Sequence, residues 1–278
     1  MSVQVIAAKE FEDAVRSRLL WGLVAVVTVM VGLTSLVPLV VPGFDGNVVV
    51  GLGAATEFAA MLVPIVALVA AYLAIAGERE SGSLRLLLGL EPNRGTVVLG
   101  KFLGRSGVVA VGLTVGFLVA SVVTFLVYGT LPLVAFLAVV GLTVALGVAF
   151  VGIAIGISAA TATRSRAMTL GIGVYLGLAL LWDLLPQGAH LVVEGGPPSG
   201  TVPAWFVLLQ GLSPSGAYSA LVTAALRLAD PSLPGTADML GGPVPFYVQW
   251  WVFALVLLAW TVVPLVAGAW LFTRADLD

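Results

Sequence analysis

Residues 106–128 read SGVVAVGLTVGFLVASVVTFLVY and residues 131–160 read LPLVAFLAVVGLTVALGVAFVGIAIGISAA, two runs without a charged side chain. A hydrocarbon core about 30 Å thick is crossed by roughly 20 apolar residues of helix at about 1.5 Å per residue. Both runs are long enough to cross it, and the second is long enough to tilt or to project beyond it. Between them, Tyr128-Gly-Thr-Leu-Pro132 allows only a tight hairpin, with Gly and Pro as helix punctuation. Working outward with the same test gives four further runs: Leu19 to Val41, Glu57 to Ala76, Met168 to Leu185 and Gln249 to Phe272. The sequence therefore predicts an all-α integral membrane protein with six transmembrane helices.

Composition agrees. The 278 residues are 60% hydrophobic and 9% charged, against roughly a quarter charged in soluble domains. A soluble fold would leave large apolar patches in water, whereas a bilayer accepts them on the outside of a bundle. With no cysteine, no disulfide framework or thiolate metal site is available, and a net charge of -2 gives no reason to expect a nucleic-acid partner. The mixed charges Lys9, Glu10, Glu12, Asp13 and Arg16 do not form a cleavable signal peptide.

The twelve Lys and Arg fix an expected orientation. Lys9, Arg16 and Arg18 precede span one; Arg79, Arg85, Arg94, Lys101 and Arg105 lie between spans two and three; Arg164 and Arg166 lie between four and five; Arg274 follows six. Eleven thus fall on one side and only Arg227 on the other. Basic loops stay cytoplasmic, so both termini are expected inside a cell (plasma) membrane, as an even number of spans also requires.

Three segments lie outside the spans. In residues 1–18, Val3, Ile6, Ala7, Phe11, Ala14 and Val15 recur at helical spacing opposite Gln4, Lys9, Glu12, Asp13 and Arg16. This reads as an amphipathic helix on the inner membrane surface, or else as a helical extension of span one. From Gly77 to Arg105 the chain is most highly charged. Ser83 is placed to cap a short helix bearing Leu84, Leu87 and Leu88, Glu91-Pro-Asn makes a turn, and a second helix runs from Arg94 into span three. Such a hairpin suits docking, or anchoring of helix ends in the headgroups. The outer loop 186–248 holds two apolar stretches, Val202 to Leu209 and Gly216 to Leu228, expected as short interfacial or re-entrant helices.

Gly95-Thr-Val-Val-Leu-Gly100-Lys101-Phe102 approaches a P-loop, but Phe102 stands where the magnesium-binding hydroxyl belongs, and the segment leads into a membrane span. No nucleotide-binding, catalytic or metal residue is expected. His190, the one histidine, reads as an exposed loop residue, and the five methionines read as core gap-fillers. Glu57 and Asp183, the carboxylates nearest the membrane interior, are placed at outer span ends. The pairs Gly112/Gly116, Gly152/Gly156 and Gly173/Gly177 permit close helix contact, within the bundle or across a dimer.

These features resemble the membrane subunits of type-2 ABC transporters, the permease family, in its NosY-like branch. The resemblance spans the chain and rests on Ala8-Lys-Glu-Phe-Glu-Asp-Ala-Val-Arg-Ser-Arg18, on Gly77-Glu-Arg-Glu-Ser-Gly-Ser-Leu-Arg-Leu-Leu88 with Gly100-Lys101, on Leu212-Ser-Pro-Ser-Gly-Ala-Tyr218, and on Phe272-Thr-Arg-Ala-Asp276-Leu277. The Gly77 to Leu88 segment is its most specific part. It implies an ABC transporter permease, in a family made largely of exporters, with a second permease copy as a homodimer, surrounding membrane lipid, and separate cytoplasmic ABC ATPase subunits. No cofactor is implied in this chain, since ATP and Mg would sit on the ATPase. The resemblance further implies a coupling helix at Gly77, Glu78, Arg79, Glu80, Gly82, Ser83, Leu84 and Arg85, docking the ATPase. An ion-coupled secondary transporter and a non-transporting scaffold subunit are the other classes this composition allows.

Overall fold

A computed structural model describes residues 2–16, 18–36, 47–82 and 93–275, and all regular structure within them is helical. The amphipathic segment forms α1 (Val3–Val15), capped by Ser2, and a separate α2 (Arg18–Ser35) follows it. α3 (Val48–Ala71) is capped by Asn47, whose side chain accepts from Val49 N–H. It continues through a turn into the short α4 (Ala76–Ser81), which ends at Gly82 with φ 76°. In that left-handed conformation a Cβ would be strained, so glycine suits this stop.

α5 (Arg94–Tyr128) and α6 (Leu133–Ala160) form the hairpin that the uncharged runs predict. α7 (Arg164–Tyr175) passes into a π-helical turn, Leu176–Leu180, and then bends by 47° into α8 (Leu184–Glu194). α9 (Ala204–Gly211), α10 (Pro214–Leu226) and α11 (Thr236–Leu240) fill the loop before α12 (Trp250–Arg274). Among the described residues, four helices are long and apolar enough to cross a membrane: α3 with α4, α5, α6 and α12. The bent α7/α8 pair, counted as one span, makes five. α2 is the helix of the first predicted run, whose residues 37–41 lie outside the described residues.

α6 is the central post, with α3, α5, α10 and α12 packed around it. Its Gly156 lies against the Pro264 carbonyl of α12, Gly152 is where a Cβ would meet the Thr261 carbonyl at 2.5 Å, and Gly268 of α12 faces the Gly156 carbonyl. Lipid is as apolar as leucine, so helices in it associate through such close contacts. The Gly152/Gly156 pair thus works within the bundle, as does Gly116 against Val27 of α2, while Gly173 and Gly177 have open space beside them.

α10 sits among α3, α6 and α12. The Tyr218 hydroxyl is 2.9 Å from Thr143 Oγ1, which donates to the Val139 carbonyl, so the phenol donates to Thr143. Burying a tyrosine this completely requires such a partner. Ser213 caps α10, and Pro214 occupies its first turn, where a missing N–H costs nothing. Arg227, in the segment between α10 and α11, is 3.0 Å from Asp238 and also donates to the Leu233 carbonyl. The Gly235 N–H and Arg227 hold the Asp238 carboxyl below its ordinary pKa.

Three expectations are corrected. His190 lies in α8, not in a loop, and is 7% exposed, its Nδ1 2.9 Å from the Gly196 carbonyl and its ring packed on Trp205 and Phe206. A 3.6-residue period carries α8 beyond Pro186, and proline is tolerated in the first turn of a helix. Met61, Met168 and Met239 are exposed on this chain rather than core fillers. Finally, nine helical residues precede Glu57, because α3 begins at Val48 behind its Asn47 cap.

Candidate coupling site

α4 carries the described part of the expected docking segment, and three polar anchors hold it. At its start, Ser158 Oγ of α6 accepts from Ile75 N–H at 3.0 Å and Ala76 N–H at 2.9 Å, satisfying donors that a helix N-terminus leaves open. On one side, Glu78 Oε1 is 2.8 Å from Lys101 Nζ of α5. On the other, Glu80 Oε2 accepts from the Arg164 backbone N–H at 2.6 Å, a carboxylate at the positive end of α7. Arg164 returns a contact from its guanidinium to the Gly77 carbonyl at 3.4 Å.

Lys101 is 1% exposed and joins a second carboxylate, Glu10 of α1, at 2.5 Å. Arg105 meets the other oxygen of Glu10 through Nε at 2.9 Å and Nη2 at 2.8 Å, and donates from Nη1 to the Ala70 carbonyl at 3.1 Å. Two cations and two carboxylates therefore connect α1, the end of α3, α4 and α5. Burial pushes the Glu10 carboxyl up, but Lys101 and Arg105 together outweigh it and hold the group below its ordinary value. α1 reaches this depth because α5 presents glycines to it. A Cβ on Gly100 would meet Ile6 at 2.7 Å, and one on Gly104 would meet Glu10 at 2.5 Å and the Ala7 carbonyl at 2.8 Å.

A third polar joint ties the start of α5 to the end of the chain. Asn93 Oδ1 caps α5 by accepting from Thr96 N–H at 2.6 Å. The Arg94 guanidinium donates to the carbonyls of Phe272 and Ala275, both at 2.6 Å, and lies 5.4 Å from the Phe272 ring centroid. A cation there also complements the negative end of α12.

Of the residues expected to dock, Gly77 is buried, Glu78 is turned toward Lys101, Arg79 is half-buried, and Glu80 and Gly82 are exposed. Ser83, Leu84 and Arg85 lie outside the described residues. The sequence places Arg105 at the end of this charged stretch but does not pair it with Glu10, and it does not bring Glu10, Ser158 or Arg164 to α4. Glu10 falls at the edge of the apolar stripe of α1, and the glycines at 100, 104 and 107 facing that stripe were the available signal. Lys101, met in the P-loop comparison, serves as the internal cation of α4 and α1.

A family model described as "ABC-2 family transporter protein" matches residues 4–277. The chain is similar to "Probable ABC transporter permease protein NosY" of Stutzerimonas stutzeri, with 30% identity over 279 residues covering 97% of each chain. It is also similar to the protein of the same name from Pseudomonas aeruginosa, with 31% identity over 217 residues, 74% of this chain and 77% of that one.

Proposed function

Because this chain belongs to the ABC-2 family of transporter proteins, we propose that it is the permease subunit of an ABC exporter in the cell membrane, driven by ATP hydrolysis on separate cytoplasmic ATPase subunits. In this reading α2 completes six spans, both termini are cytoplasmic, and a second copy of the chain completes the pathway. Gly77, Arg79, Glu80 and Gly82, with Ser83, Leu84 and Arg85 beyond them, present the docking surface, while Glu78 carries displacement inward to Lys101.

The observation that supports this reading best is the triple anchoring of α4. A helix of six residues has little stability of its own. Fixed to α5 through Glu78, to α6 through Ser158 and to α7 through Glu80, it moves those helices when it is pushed. Charge-assisted contacts of this kind reorient as units. Supporting it from sequence, the two relatives similar to this chain are named as permeases.

Co-expression with an ABC ATPase, capture in nanodiscs and measurement of ATP hydrolysis test the reading. The wild type is expected to retain the ATPase. Arg79→Ala/Glu80→Ala is expected to lose most of it, and Glu78→Ala to retain it while uncoupling hydrolysis from the permease. Absence of any ATPase on the wild-type protein would sink the proposal.

A further inference from the structure

We propose that the cavity between α3, the π-helical turn and α9 to α11 is a binding site for an amphiphilic organic cation. The cavity measures about 510 Å³, within the range of small-molecule sites. Its wall contains two carboxylates, Glu57 and Asp183, and no Lys, Arg or His. Among the described residues neither carboxylate has an ion-pair partner within 4.0 Å. A cleft lined by charge of one sign raises the local concentration of the opposite ion, so this wall favours a positive ligand.

The rest of the wall narrows the class. Trp182 lines it, and its indole N–H donates to the Leu209 carbonyl at 2.9 Å, which fixes the ring at the rim. A held indole beside carboxylates is the setting in which organic cations are recognised through the ring face. Met61 and Leu178 supply a polarizable, apolar surface for the body of the ligand. A hard divalent ion fits poorly, since it takes six to eight oxygens and the described residues hold no group of three or more His, Cys, Asp or Glu that suits a metal. An anionic headgroup would meet two like charges.

The site deepens the permease reading by giving its cargo a chemical class, and its test needs no ATPase. Equilibrium dialysis of radiolabelled tetraphenylphosphonium is measured against the purified chain in nanodiscs of zwitterionic lipid, with empty nanodiscs subtracted. Saturable binding is expected, weakened about tenfold in Glu57→Gln and further in Glu57→Gln/Asp183→Asn, and kept in Glu57→Asp. The near-isosteric anion tetraphenylborate is expected not to saturate. Both carboxylates are exposed, so the neutral variants should keep the wild-type gel-filtration profile. No saturable phosphonium binding, equal saturable binding of the borate, or an unchanged affinity in the double variant overturns the site. Each of these results leaves ATPase capture, and with it the permease reading, untouched. Displacement of the phosphonium by outer-leaflet amine lipid in the nanodisc would identify the lipid headgroup as the source of the cation; its absence points to a soluble amphiphile.

Discussion

Among the described residues, Lys101 keeps its ammonium out of water through Glu10 and Glu78. Removing one partner of such a buried set costs about 3–5 kcal/mol, mostly because the remaining charge is stranded. Glu10 gives this a pH signature. Its folded pKa lies below the ordinary 4.5, so its contribution is complete above that value and is lost as pH falls through the depressed one. Acid should therefore release α1 from α5. Limited proteolysis of the detergent-solubilised chain is expected to show α1 protected at neutral pH and cut once the pH falls below the ordinary carboxylate range, while Glu10→Gln is cut throughout. Equal protection of α1 in the wild type and in Glu10→Gln at neutral pH would contradict the assignment.

At the scale of elements, α6 and α12 touch backbone to backbone at Gly152, Gly156 and Gly268. Gly268→Val places a branched side chain against the Gly156 backbone and should lower the thermal midpoint in detergent by several degrees. Gly173→Val, with open space beside it, should leave the midpoint within about a degree; similar losses in both variants would deny the contact. The two glycine pairs look alike in sequence, which explains part of what sequence left open. Spacing announces a close approach without saying to what. Long uncharged runs made α5, α6 and α12 legible almost to the residue, because membrane insertion depends on composition averaged over a whole segment. The short helices of the loop were also legible: Val202 to Leu209 and Gly216 to Leu228 became Ala204–Gly211 and Pro214–Leu226. The π-helical turn at Leu176–Leu180 was not, since its register shift depends on neighbours distant in the chain. For the same reason the reading singled out α4 but missed the residues that hold it, contributed by α1, α5, α6 and α7.

For the whole molecule, the proposed orientation has a direct test, because a chain without cysteine accepts single reporters cleanly. Ser81→Cys should react with an impermeant maleimide only from the cytoplasmic side, and Ser232→Cys only from outside. The reverse pattern would invert the topology and separate α4 from any ATPase. In the proposed permease, the Arg94 clasp would act as a pivot. α5 has 35 residues in one unbroken helix, a rod of about 52 Å, far thicker than the hydrocarbon core. The Arg94 clasp joins the foot of that rod to the carboxyl end of α12. A rod hinged at its foot sweeps an arc at its tip: a swing of about 10° there amounts to roughly 9 Å at Tyr128. In the proposed permease that length and attachment would act as gearing, turning a shift of about an ångström or two beside Lys101 into a displacement of several at the far end of α5.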